Sequence, residues 1–188
     1  MGNISSYIVA GCWLIFFGYW VVSAFRVKRT VERPSIAATL AHRIPVMLAW
    51  CLMLLNVFPP LQRRILPHTD PVMVTGAAVC VLGLLVTLWA RWTLAGNWSA
   101  DVTFKQDHEL VRRGPYRFVR HPIYTGLLIM ATGTAVGDGR LRCWLGVAVL
   151  ALGLWVKLSQ EERLMLRHFP EAYPIYKKEA KALVPWII

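Results

Sequence analysis

The chain has 188 residues, of which 56% are hydrophobic, and its mean hydropathy is +0.47. This composition is typical of a membrane protein, and the length suits a single domain. The formal net charge of +11 is compatible with nucleic-acid binding, but basic residues beside apolar runs are better explained by a membrane, so we predict no nucleic-acid partner.

Five apolar segments follow one another and predict an all-α integral membrane protein with about five transmembrane helices. A spanning helix needs roughly 20 apolar residues, so the second, fourth and fifth segments are short. Gly137-Asp138-Gly139 predicts a tight turn, which makes the last two segments a helical hairpin. The five segments are Ile4–Phe25, Ile44–Phe58, Pro71–Ala90, Pro122–Val136 and Cys143–Leu158.

The basic residues predict an orientation. If five segments span, 17 of the 21 lysine and arginine residues fall on one side. The positive-inside rule places that side, with the C-terminus and both motif-bearing regions, in the cytoplasm and the N-terminus outside. Residues 161–181 are polar and aromatic and predict a cytosolic helical region that bends near Pro170 and Pro174.

The stretch from His108 to Tyr124 is polar, aromatic and basic, although it lies between two apolar segments. Pro122 suits the first position of a helix with His121 at its cap, and the N–H groups of such a turn attract anions. Tyr116 and Tyr124 can offer ring faces to a cation. Together these features fit S-adenosylmethionine, which carries a carboxylate and a sulfonium. An interfacial aromatic belt with helix-capping residues explains the same spacing equally well.

Glu161 and Glu162 form a pair of carboxylates at the inner end of the fifth segment, where burying a charge is costly. Lys157 lies four residues before Glu161 and shares its helix face. These two residues could hold a ligand, with Glu161 on ribose hydroxyls and Lys157 on a substrate carboxylate. A solvated ion pair is the alternative. No histidine lies in a metal-ligand pattern and no Rossmann glycine motif is present, so we predict neither a metal nor a Rossmann-type site.

Five motifs follow one another in the second half of the chain and together resemble the isoprenylcysteine carboxyl methyltransferase family. Its wider superfamily includes the phospholipid methyltransferases, and the chain is similar to bacterial- or archaeal-type members. The resemblance covers about Trp89 to the C-terminus. The motifs are His108-Glu-Leu-Val111, Gly114-Pro-Tyr116, Arg120-His-Pro-Ile-Tyr124, Glu161-Glu162, and Phe169 with Tyr173 and Tyr176-Lys-Lys.

The resemblance implies S-adenosylmethionine as the cofactor, N-terminal helices at residues 1–70 and a cofactor-binding and catalytic part at residues 89–188. Asp101 stands where eukaryotic members have a glutamine, and Lys157 stands where they have a substrate-site arginine. The predicted catalytic residues are Lys157, Glu161 and Glu162. The implied cofactor-binding residues are Asp101, His108, Glu109, Leu110, Val111, Tyr116, His121, Pro122, Ile123, Tyr124 and Glu161.

We therefore expect an S-adenosylmethionine-dependent membrane methyltransferase that methylates a carboxylate of a lipophilic, isoprenylcysteine-like acceptor. The expected partners are a lipophilic small molecule or a prenylated acceptor, together with membrane lipids. A carboxylate is ionised at neutral pH and needs no general base. An amine acceptor needs one, and Glu162 or His121 are the candidates. The main alternative is a phospholipid or small-lipid N-methyltransferase; a sterol-type membrane reductase and a non-enzymatic membrane protein are weaker ones.

Overall fold

The computed structural model of the protein describes residues 2–25, 30–32, 35–55, 58–95, 104–105 and 110–185. These residues are mostly helical, which confirms the predicted all-α class. The strands β1 (Thr30–Glu32) and β2 (Phe104–Lys105) form one short antiparallel pair. The helices are α1 (Gly2–Ala24), α2 (Ile36–Leu54), α3 (Asp70–Leu94), α4 (Pro122–Asp138), α5 (Leu141–His168) and α6 (Ala172–Glu179).

Four of these helices, α1, α2, α3 and α5, are long and apolar enough to cross a membrane. Helix α4 has 17 residues, at the short end of the lengths that span a bilayer. The count of five spans depends on α4 and stays a prediction. Large apolar side chains remain exposed on the outer helices, including Leu14 at 74% and Ile36 at 80%. Because such surfaces suit lipid rather than water, the protein is an integral membrane protein.

Helices α3 and α4 pack closely because glycines face each other across their contact. A Cβ atom built on Gly133 lies 2.4 Å from the backbone nitrogen of Cys80 and 2.6 Å from the carbonyl oxygen of Gly76. A Cβ atom on Gly83 lies 2.5 Å from the backbone nitrogen of Met130. Small residues allow two helix backbones in a membrane to approach in this way. Contact between α3 and α4 is therefore made largely by backbone atoms.

Helix α5 packs along α2 and completes the core beside the α3–α4 pair. Gly146 of α5 makes room for Met53, and Gly153 makes room for Val46. The main buried cluster combines Leu150, Leu154 and Leu158 of α5 with residues of α2, α3 and α4. Tyr116 and Tyr124 belong to the same cluster, so the aromatic residues predicted to bind a ligand lie at the edge of the core.

A tight turn joins the last two helices, as predicted, but Gly137 and Asp138 are the last residues of α4, so the turn lies at Gly139 and Arg140. Gly139 is the C-cap of α4, and its φ of 73° is left-handed and favours glycine. The buried Arg142 holds this end together by donating to Asp138 at 2.9 Å, to Gln62 at 3.2 Å and to the carbonyl oxygen of Met53. Glu161 lies about five helical turns away along α5.

The predicted start of the second apolar segment at Ile44 was wrong. Helix α2 begins at Ile36, where the side chain of Ser35 accepts a hydrogen bond of 3.2 Å from the backbone nitrogen of Ala38. The polar residues that follow interrupt the apolar pattern, but they do not interrupt the helix. The N-cap of Ser35 was therefore the better signal for the helix start.

The predicted end of the fifth segment was also wrong, because α5 continues without a break to His168. Glu161 and Glu162 therefore lie on the same helix as the apolar run, not on a separate soluble helix. A helix of 28 residues is about 42 Å long, which exceeds a hydrocarbon layer of roughly 30 Å. The predicted bend near Pro170 is confirmed, but Pro174 lies in the first turn of α6, where a missing N–H is tolerated.

Replacing Trp13 by phenylalanine is expected to lower the free energy of unfolding by about 1 kcal/mol. The indole of Trp13 donates a hydrogen bond of 3.0 Å to Thr134, which joins α1 to α4. Thermal unfolding in detergent measures the effect. Tyr7→Phe is the control, because Tyr7 is 74% exposed, and an equal loss in both variants would contradict the assigned bond.

Candidate functional site

The candidate site begins at the first turn of α4. As predicted, His121 is the N-cap residue and Pro122 is the first helical residue. The imidazole does not cap the helix. Pro122 and Ile123 are buried in the bundle, and Tyr124 follows them one position further along. The turn thus directs the side chains of His121 and Tyr124 toward the end of α5.

A hydrogen bond joins the two distant motifs. The hydroxyl of Tyr124 donates to Oε1 of Glu161 at 2.6 Å. The ammonium of Lys157 lies 3.9 Å from the same oxygen and 5.4 Å from the centre of the Tyr124 ring. The side chains of Lys157 and Glu161 are 13% and 23% exposed, so this pair is partly buried and is not the fully solvated alternative. An anion, a cation and an aromatic face therefore meet within one small volume.

His121 lies between the two carboxylates. Its Nδ1 is 3.5 Å from Oε2 of Glu161, and its Nε2 is 3.4 Å from Oε1 of Glu162. Its ring stacks on Tyr124 with an interplanar angle of 3°. Burial acts to lower the pKa of His121, but the two carboxylates outweigh burial, and the pKa is raised above its ordinary value. The charged imidazolium is therefore favoured at this position.

Glu162 makes a different set of contacts from its neighbour. Its Oε1 accepts hydrogen bonds from Nε and Nη2 of Arg120 at 2.8 and 2.6 Å. Its Oε2 lies 2.7 Å from the ammonium of Lys177. Besides its contact with Nε2 of His121, Glu162 therefore faces Arg120 and Lys177, whereas Glu161 faces Nδ1 of His121, Tyr124 and Lys157.

Tyr116 lies beside this cluster and is buried. Its carbonyl oxygen accepts a hydrogen bond of 2.6 Å from the hydroxyl of Tyr176 in α6. Burial, followed by the nearby Glu161 carboxylate, raises the pKa of the Tyr116 phenol well above its usual range. The phenol therefore stays neutral near the carboxylate of Glu161.

Of the remaining predicted cofactor residues, the structure describes only Leu110 and Val111. Val111 packs against the cluster that contains Tyr116 and Tyr124. Leu110 instead packs against Tyr173 and Tyr176, so it connects the site to α6. Asp101, His108 and Glu109 lie outside the described residues.

The described contacts set limits on the chemistry of this cluster. Its polar groups lie at one end of the bundle and are largely buried, so a polar ligand here would exchange water for fixed charges and dipoles. A cation would find the face of Tyr124 and the carboxylate of Glu161. An anion would find Lys157 and the N-terminus of α4. The arrangement suits a ligand that carries both charges.

A family model described as phospholipid methyltransferase matches residues 71–172. The chain belongs to this family. The matched residues run from the first turn of α3 to the first residue of α6, so they include His121, Tyr124, Lys157 and Glu161. These four residues therefore lie within the part of the chain that matches the phospholipid methyltransferase family.

Similar proteins carry a more specific name. The chain is 25% identical over 192 residues to a probable protein-S-isoprenylcysteine O-methyltransferase of Oryza sativa subsp. indica, with 97% of this chain and 96% of that protein covered. It is 27% identical over 184 residues to the protein-S-isoprenylcysteine O-methyltransferase of Homo sapiens, with 94% and 63% covered. The Schizosaccharomyces pombe enzyme of that name is 35% identical over 86 residues, with 44% and 35% covered. The match to the rice protein therefore extends over nearly the whole of both chains.

Arg120 and Lys177, which both contact Glu162, had no role predicted from the sequence. Arg120 directly precedes His121 inside a family motif, and Lys177 follows Tyr176 in another. Their positions next to assigned residues were the available signal. The pair between Lys177 and Glu162 depends on α6 folding back onto α5, and the pair between Arg120 and Glu162 depends on the start of α4 lying against the end of α5. The sequence pattern predicted neither ion pair.

Proposed function

We propose that the protein uses S-adenosylmethionine to methylate the carboxylate of a lipophilic acceptor, such as an S-prenylated cysteine. The hydrogen bond between Tyr124 and Glu161 carries this proposal, because it joins two family motifs in one charged, aromatic site. The names of the similar proteins in rice and human support this acceptor class. The family supports the transfer of a methyl group.

The residues present suit this methyl donor. The ring of Tyr124 already has the ammonium of Lys157 at 5.4 Å, so a cation near this face is tolerated. Oε2 of Glu161 lies 3.5 Å from Nδ1 of His121, whereas the short bond from Tyr124 goes to Oε1. We assign Oε2 to accept hydrogen bonds from ribose hydroxyls. We assign donor binding to Tyr116, His121, Tyr124 and Glu161. When bound, the donor supplies a methyl group that is already activated on a sulfonium.

The protein's own task is then to bind, align and exclude water. Glu161 and Tyr124 hold the donor at the end of α5 and the start of α4. Lys157 supplies a positive charge for an acceptor carboxylate, which is nucleophilic at neutral pH without a base. This reaction needs no general base. It is therefore compatible with a Glu162 carboxylate that is held in ion pairs with Arg120 and Lys177.

We further propose that the site faces the cytoplasm, with the N-terminus outside and residues 89–188 forming the catalytic part. The distribution of basic residues supports this orientation. The length of α5 allows its polar last turns to extend beyond the hydrocarbon layer, on the side that the basic residues mark. Protease accessibility of tags placed on either side of α5 in sealed vesicles measures the orientation.

A labelling experiment tests the acceptor class. Membranes that contain the protein are supplied with S-adenosylmethionine labelled in its methyl group, with and without an added S-prenylated cysteine. A carboxyl methyl ester releases the label in base, so we expect base-labile label that depends on the added acceptor. Base-stable label in phospholipid would favour N-methylation of a lipid headgroup, which the family description also supports.

Replacing Lys157 by alanine is expected to raise the KM for the acceptor about tenfold and to change the dissociation constant of the donor less than twofold. The ammonium group of Lys157 lies 5.4 Å from the Tyr124 ring centre and 3.9 Å from Glu161, so it can attract an acceptor carboxylate to this site. Steady-state kinetics and calorimetry measure the two quantities. Lys178→Ala is the control, because Lys178 is exposed on α6. Equal losses of donor and acceptor binding would contradict the assigned role.

A further inference from the structure

Residues 180–183, which we name the strap, lie against the turn that begins α4. Val119 and Lys181 form a parallel bridge between the two segments. Three consecutive carbonyl oxygens of the strap accept hydrogen bonds from the turn, so its position is set by backbone geometry. The bonds run from the Arg120 nitrogen to Lys181 at 2.7 Å, from the His121 nitrogen to Ala182 at 3.0 Å, and from the Thr125 hydroxyl to Leu183 at 2.6 Å.

One side chain ties the strap to α5. Nη1 of Arg120 donates to the carbonyl oxygen of Ala180, and the other two guanidinium nitrogens donate to Glu162. The side chains of Arg120 and Glu162 are 8% and 11% exposed. Such a buried, charge-assisted pair with good geometry is a strong constraint. The strap, the start of α4 and the end of α5 are thus held together by one guanidinium.

Lys177 adds a second cation from α6 at 2.7 Å from Oε2 of Glu162. Both oxygens of Glu162 therefore pair with a cation. A carboxylate in this position is a poor proton acceptor, because protonation would give up these ion pairs. Glu162 is better suited to hold structure than to act as the general base considered for an amine acceptor.

We propose that Arg120, Glu162 and Lys177 are positioning residues that fasten the strap across the start of α4 and so hold His121 and Glu161 ready for the methyl donor. This inference rests on the proposed function. None of the three is among the residues assigned to donor binding. Their effect passes through His121, whose backbone bonds the strap and whose ring contacts both carboxylates.

Lys177→Gln tests the proposal without leaving a buried charge unpaired, because Arg120 still bonds Glu162. We expect the dissociation constant of S-adenosylmethionine, measured by calorimetry on the full chain in detergent, to rise about fivefold. We expect kcat at saturating donor to change less than twofold. Lys177→Arg keeps the cation and is expected to restore wild-type binding. Glu179→Gln is the matched control on α6, because Glu179 pairs with Arg112 at 3.6 Å and not with the site.

A second variant removes a tie on the strap itself. Thr125→Val removes the hydroxyl that donates to Leu183, and it is expected to raise the donor dissociation constant in the same direction. Thr75→Val is its control, because the Thr75 hydroxyl bonds only Pro71 of its own helix in the described residues. Thermal unfolding of all variants reports the folded fraction.

The outcomes separate the two proposals. A wild-type protein that binds no S-adenosylmethionine would overturn the proposed function itself. Wild-type binding with unchanged affinity in Lys177→Gln and Thr125→Val would overturn the positioning role alone. A parallel fall of kcat, binding and folded fraction, without rescue by Lys177→Arg, would also overturn it, because it would show a merely structural role.

Discussion

Replacing Glu161 by glutamine is expected to weaken the binding of S-adenosylmethionine between about tenfold and a hundredfold, since a charged hydrogen bond contributes about 1.5–3 kcal/mol. The carboxylate lies at the centre of the site, with the Tyr124 hydroxyl at 2.6 Å, the His121 nitrogen at 3.5 Å and the Lys157 ammonium at 3.9 Å. An amide at this position loses the negative charge and presents hydrogens to neighbouring donors. Calorimetry on the purified protein measures the change.

A control is needed because Glu161 also bonds its neighbours. Glu171→Gln removes a carboxylate that is exposed beside α6, and it is expected to leave donor affinity unchanged. Both variants should remain folded in detergent. Unchanged donor affinity in Glu161→Gln would show that the carboxylate does not hold the donor, and it would remove the main support for the assigned pocket.

Replacing Gly133 by alanine is expected to lower the free energy of unfolding by about 1–3 kcal/mol or more, since overpacking a close contact forces backbone shifts. The added methyl would lie within 3 Å of the Cys80 nitrogen, the Gly76 carbonyl oxygen and the Cys80 Cα. These are backbone atoms, so rotation of a side chain cannot relieve the clash. Thermal or denaturant unfolding in detergent measures the loss.

Gly11→Ala is the matched control on α1. A Cβ atom at Gly11 meets nothing within 4 Å among the residues described, and alanine has the higher helix propensity by about 1 kcal/mol. We expect this variant to be neutral or slightly more stable. Equal destabilisation by both substitutions would contradict the assigned close contact between α3 and α4, because alanine at Gly11 meets no neighbour among the residues described and has the higher helix propensity.

Local signals predicted much of the fold. Glycine at the αL position predicted the turn that ends α4, and proline after a capping histidine predicted its start. Apolar length predicted the spanning helices. Charge interrupted the apolar pattern at Arg43 and Glu161, and the predicted helix ends were misplaced there, because a polar residue at the end of a membrane helix does not end the helix. The caps at Ser35 and Phe169 decide those boundaries.

The site was predictable only in part, because its residues come from separate helices. Tyr124 and Glu161 were assigned to one site from their motifs, and the structure brings them into a hydrogen bond. The contact of Lys177 with Glu162 and the bond from Arg120 to Ala180 depend on how α6 and the strap return to α4. No periodicity of the sequence encodes that return. Asp101, His108 and Glu109 remain predictions.

The glycine contact between α3 and α4 also limits where a bulky hydrocarbon chain can reach the reaction. A gap between two membrane helices can open when side chains at their contact rotate aside. The contact between α3 and α4 is formed by backbone atoms, which cannot rotate aside in this way. Separating α3 from α4 would require the two helices to move as rigid bodies and to lose many contacts at once. Any sideways entry from the bilayer is therefore left to other helix pairs, such as α2 and α5, where the side chains of Met53 and Val46 lie at the contact and can rearrange.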